Sequence, residues 1–115
     1  MTPDDFFARY AAALLARDAD AMAALYAVPS LILFPGNAIA VDSAEQTRAF
    51  FDSAWAQYDG IDAVAHTLTV MAEAPGTVWC DVTWSYGGAA RERFCYQLVV
   101  GAHGLQIAVL TPMTL

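Results

Sequence analysis

The sequence predicts an α+β fold: a curved antiparallel sheet wrapped as a cone around three N-terminal helices. Three observations lead there. In the first half of the chain, apolar residues recur at three- and four-residue spacing behind helix-start signals. After Gly60 the apolar period drops to near two. Four β-rich runs then succeed one another, joined by short connections, so neighbours form antiparallel hairpins with helices on one side of their sheet.

The first helix is read from TPDDFFARYAAALLARD. Thr2 serves as N-cap and Pro3 fits the first helical position, while Asp4 and Asp5 meet the positive end of the helix dipole. Phe6, Phe7, Tyr10, Ala11, Leu14 and Leu15 make one apolar face. Asp18 or Asp20 restarts a short helix, ADAMAALY, which must stop before Pro29. A strand SLILF is closed by Pro35-Gly36, and IAV forms a second small strand. Either Asp42 with Glu45 or Ser43 with Gln46 has capping-box spacing for the third helix, whose Phe51, Trp55 and Tyr58 share a face and which Gly60 ends. The closing strands are DAVAHTLTVMAE, GTVWCDVTWSY, RERFCYQLVV and GLQIAVLTPM.

A chain of 115 residues suits one domain, residues 1–115, and buries enough surface to need no staples. No apolar run reaches the roughly 18 residues of a membrane span. Twelve acids against five arginines give a net charge of −7, the wrong sign for nucleic acid or an anionic membrane. MTPDDFF lacks the early basic residues of a secretory signal, so a cytoplasmic location is expected. Cys80 and Cys95 are then expected as thiols rather than a disulfide. Phosphate-loop, dinucleotide, zinc-helix and serine-elbow motifs are all missing, and no cofactor or metal is expected.

The order of FFARYAAALLARDADAMAALYAVP, SAEQTRAFFDSAWAQY and the hairpin YQLVVGAHGLQIAVL resembles the nuclear transport factor 2-like, or SnoaL-like, superfamily over nearly the whole chain. Gly104-Leu105-Gln106-Ile107 stands where many members have a Gly-Trp-x-Ile strand, with Leu in place of the aromatic. The resemblance implies a cystatin-like α+β roll with a pocket. It implies no single activity, because the superfamily spans isomerases, cyclases, dehydratases, epoxide hydrolases and non-catalytic transport factors. No catalytic set of those enzymes matches residue by residue, and none is carried over.

Three residues are candidates for chemistry. Asp81 alternates with Trp79, Thr83 and Ser85, opposite the more apolar Val78, Cys80, Val82, Trp84 and Tyr86. That pattern turns it outward, solvated or paired with an arginine. A two- or four-residue hairpin loop would instead put Asp81 on the face of Phe94 and Tyr96, where burial raises a carboxyl pKa toward general acid–base use. A three-residue loop or a bulge reverses the parity. His66 lies among Val64, Leu68 and Val70, either as a hydrogen-bonded rim residue or as a pocket group titrating near neutrality. Tyr96 carries a phenol that needs a partner, either backbone or a ligand carbonyl. His103 sits in a turn and is expected to be solvated.

Tyr10, Tyr26, Trp55, Trp84 and Tyr96 are the expected pocket lining. Trp79 falls on the far side of the sheet, where exposure forgoes up to about 5 kcal/mol of burial, so a homodimer through the outer face is expected. The reading at this level is a domain binding a small apolar molecule as a homodimer. The alternative is a proton-transfer enzyme acting on an apolar carbonyl compound, with His66, Asp81 and Tyr96 as base, acid and polariser in unassigned order.

Overall fold

A computed structural model describes residues 1–115. Three helices, α1 (Pro3–Leu15), α2 (Ala19–Ala24) and α3 (Ala44–Ala54), precede or interrupt a six-stranded sheet. Its strands are β1 (Tyr26–Phe34), β2 (Asn37–Val41), β3 (Val64–Ala74), β4 (Thr77–Tyr86), β5 (Ala89–Gly101) and β6 (Gly104–Pro112), in spatial order β2-β1-β6-β5-β4-β3. A single 3₁₀ turn, Trp55–Tyr58, continues α3.

The helix starts are local chemistry. Thr2 and Asp5 make a reciprocal capping box, and Asp18 caps α2 through the Ala21 amide. At α3 the Ser43 hydroxyl takes the Gln46 amide, whereas the Gln46 side chain reaches the Asp42 amide and the Ala40 carbonyl. Ser43 is therefore the cap, and Gln46 ties α3 to β2.

Two expectations need correction. The sheet is mixed, not wholly antiparallel, because β1 runs parallel to β6. That pairing also shortens the second helix. The Ile107 amide donates to the Leu25 carbonyl at 2.8 Å, so the chain leaves helix at Ala24 and Tyr26 already belongs to the sheet.

The three hairpins share one construction. Each has a two-residue turn, Pro75-Gly76, Gly87-Gly88 or Ala102-His103, and a single extra residue farther along one strand. Met71, Arg91 and Ala108 are those unpaired residues. Gly87 and Gly88 both have positive φ, as a primed turn between twisted strands requires. Each bulge bends its strand and adds twist. Three of them curl the sheet around the helices.

The concave face packs on α1 and α2. Phe6, Phe7, Met22, Cys80, Val82 and Leu98 are fully buried there. Along β4 the even residues are buried and the odd ones half-buried, the alternation that the sequence shows. No element covers the convex face.

Candidate functional site

The three chemistry candidates do not meet. Asp81 lies on the convex face, where Arg93 holds it bidentately, with Nε to Oδ1 at 2.9 Å and Nη2 to Oδ2 at 2.6 Å. The guanidinium keeps its carboxyl below the usual carboxylate range, the reverse of what acid catalysis at neutral pH needs. His66 is on the concave face opposite Trp84, with Nε2 2.8 Å from Asp4 Oδ1 at the start of α1. Its ring packs between Phe7 and Trp84 and does not line the cavity beneath α3. Tyr96 is buried and accepts a hydrogen bond from Trp84 Nε1 at 2.9 Å. A shared base–acid–polariser set of His66, Asp81 and Tyr96 is thus not formed.

A cavity of about 500 Å³ opens between α3 and the concave face. Tyr10, Tyr26, Trp84 and Tyr96 line it, with Phe51 and Leu110. Trp55 does not; it lies outside, against Phe51 and Tyr58. Helix period explains the difference: Phe51, Ala54 and Tyr58 face inward while Trp55 starts the 3₁₀ turn off that stripe. The buried residues form the floor. Phe34, Phe50, Gln46 and Gln57 are exposed liners and mark the mouth.

The hydrogen-bond accounting of the floor is incomplete. Tyr10 and Tyr26 share one bond between hydroxyls, 3.1 Å apart. Tyr96 accepts from Trp84 but donates to nothing in the protein. Three phenol hydrogens therefore have one protein acceptor among them, and two remain available to a cavity occupant. Burial raises the pKa of all three phenols, so they stay protonated donors at neutral pH.

The sequence reading missed Glu92. Tyr86 Oη donates to Glu92 Oε1 at 2.7 Å, and both line the cavity beside Tyr58. Burial and this carboxylate push the Tyr86 phenol far up. The Arg91 bulge puts Glu92 there. Next to the turn, Tyr86 pairs with Ala89 and Ser85 with Ala90; continued unbroken, that register would set Arg91 opposite Trp84. With Arg91 extruded, Glu92 takes that place, and Asp81 pairs with Cys95 rather than Phe94. The only signal in the sequence was the charge alternation of Arg91-Glu92-Arg93, which does not reveal a bulge.

Tyr58 is held from a distance. Arg17 is the residue after the α1 cap and has a φ of 51°, a left-handed conformation usually left to glycine. Its guanidinium donates to the carbonyls of Leu14, Leu15, Tyr58 and Ile61. The end of α1 and the segment after α3 are so clamped together.

Cys80 points into the core and Cys95 to the convex face, both as free thiols. Burial lifts the Cys80 thiol to about 11, far from a reactive thiolate.

Comparison with solved structures agrees with this architecture. A nuclear transport factor 2-like protein from Cytophaga hutchinsonii superposes with a TM-score of 0.72 at 14% identity, over 96% of this chain and 93% of that one. Aln2 from a Streptomyces species gives 0.66 at 20% identity, over 98% and 92%. A domain of unknown function with a cystatin-like fold from Nostoc punctiforme gives 0.69 at 14%, over 97% and 76%. At such identities the likeness concerns the fold alone. No curated protein matches the sequence. The model of the SnoaL-like domain matches residues 7–107, and the chain belongs to that family.

Proposed function

We propose that this chain binds one small, largely apolar molecule in the cavity under α3, and does so as a homodimer. The observation that carries the reading is the cavity with its unspent donors: about 500 Å³, fifteen of nineteen lining residues hydrophobic, and two buried phenol hydrogens with no protein acceptor. This volume suits a bicyclic or tricyclic ligand, and a few convergent polar groups in an apolar pocket are what orients one. A carbonyl or ether oxygen reaching the floor would satisfy the phenols.

The test is a titration with Nile red, an uncharged dye whose emission shifts to the blue in apolar surroundings. One site per chain with micromolar affinity is expected. Ala54→Phe, which places a ring in the cavity, should abolish it. A dye that fails to bind, or binds Ala54→Phe equally well, contradicts the reading.

The dimer rests on the convex face. Ala72, Trp79, Gln97, Val109, Leu31 and Ala40 form one cross-strand row there that no element covers. Two such rows meeting about a twofold axis would bury the indole. Sedimentation at micromolar concentration should give twice the chain mass, and Trp79→Glu should give one. A cytoplasmic location accords with the free thiols.

One observation favours a second reading, proton transfer on a carbonyl compound: phenol donors and the Glu92 carboxylate share this cavity. Deuterium uptake at the α-carbons of 2-tetralone, followed by NMR, would rise above the uncatalysed rate with this protein and not with Glu92→Gln. Equal rates with and without protein dismiss this second reading.

A further inference from the structure

We infer that the cavity selects an organic cation, an aromatic or polycyclic molecule bearing a protonated amine, and rejects the corresponding carboxylate. This rests on the cavity being a ligand site. Glu92 is the one formally charged residue in the lining, which contains no Arg, Lys or His. Within the protein the carboxylate of this half-exposed residue has a single partner: Oε1 accepts from Tyr86, Oε2 has no protein donor, and no basic group lies within ion-pair distance of either oxygen.

The two arginines beside it in sequence do not answer it. Arg93 is spent on Asp81 across the sheet and on the Thr114 carbonyl. Arg91, the extruded bulge residue, is exposed and lines no part of the cavity.

The walls near the carboxylate are aromatic. Trp84 is Glu92's cross-strand partner, Tyr86 is its hydrogen-bond donor, and Tyr58 and Phe94 complete the surround. Ring faces carry negative potential and attract an ammonium group, most strongly where water is excluded. A carboxylate ligand meets the reverse: it must shed water beside a like charge, with no counter-ion in the lining. The protein's net charge of −7 acts in the same sense at longer range. A neutral hydroxyl would satisfy Oε2 but gain nothing from the rings or the field. The bulge therefore determines the sign of ligand charge as well as strand parity, because an unbroken register would have put Arg91 in Glu92's place.

The test uses the full chain and three probes with one aromatic body: 1-naphthylmethylammonium, 1-naphthylmethanol and 1-naphthylacetate. Each is titrated calorimetrically at pH 7 and low salt. The cation should bind about tenfold tighter than the alcohol, since both can donate to the carboxylate but only the ammonium adds opposite-charge attraction and the pull of the rings. The carboxylate should bind more weakly than the alcohol. Glu92→Gln should remove most of the cation's advantage over the alcohol and raise the carboxylate's affinity relative to both. Should that variant not fold, the order in the unaltered protein decides by itself. Alcohol and cation binding equally, or the carboxylate binding tightest, overturns the inference while leaving the cavity as a site. Binding by none of the three overturns both.

Discussion

The concave face of the sheet is built in two ways. Under α1 it is filled. Phe6 and Phe7 stack edge to face, and Cys80, Val82 and Leu98 close on them with no accessible surface. Under α3 it is left hollow, and three tyrosines, Tyr10, Tyr26 and Tyr96, stand beside Phe51 and Leu110 in the floor. Cohesion in the first half comes from dispersion and burial, in which every side chain takes part. The second half keeps empty volume and unspent hydrogen-bond donors, both of which forgo stability. Such forfeits recur where a fold serves a ligand rather than itself. Trp84 and Tyr96 join the halves: each packs on Phe7 and lines the cavity.

This contrast can be broken most forcefully in the filled half. Phe7→Ala should cost about 3–5 kcal/mol in denaturant unfolding, since neighbours so closely packed cannot collapse onto the gap. A loss under about 1 kcal/mol would mean that the filled half is no anchor. At the seam, Tyr96→Phe should cost about 1–3 kcal/mol, because Trp84 Nε1–H loses its buried acceptor. Tyr26→Phe removes a hydroxyl from the hollow half, where the Tyr10 hydroxyl can turn to cavity water. It should cost less than Tyr96→Phe; equal costs would erase the distinction between seam and floor.

The smallest effect belongs to the convex face. Arg93 lowers the Asp81 pKa in the folded protein. A depressed carboxyl contributes stability that is present above its unfolded value, roughly pH 4, and lost as pH falls through the folded value. Asp81→Asn should therefore be slightly less stable than the parent at neutral pH and should lose less on acidification, the two converging at low pH. Parallel stability curves down to about pH 2 would show that the ion pair contributes nothing.

What was legible in the sequence was local. Thr2 caps α1 through an amide three residues away, as its spacing predicts. At the other two starts the spacing narrows the cap to two residues, of which Asp18 and Ser43 serve, and the β4 alternation is visible residue by residue. The β1–β6 pairing joins distant parts of the chain, and nothing near Tyr26 announces it. The bulges at Met71, Arg91 and Ala108 leave no mark in composition, yet each reverses the parity of the residues beyond it. Tyr10 and Trp84 line the cavity from faces that helix and strand period give. Tyr96 and Glu92 share one face of β5, and which side of the sheet that face takes depends on the extruded Arg91.

The most direct measurement is a crystal structure of the chain with 1-naphthylmethylammonium. The naphthyl ring should lie between Trp84 and Phe94, with its nitrogen within hydrogen-bond distance of Glu92 Oε2. A ligand seated on the convex face, or a cavity closed by Phe50 and Phe51 swinging into it, would contradict the account.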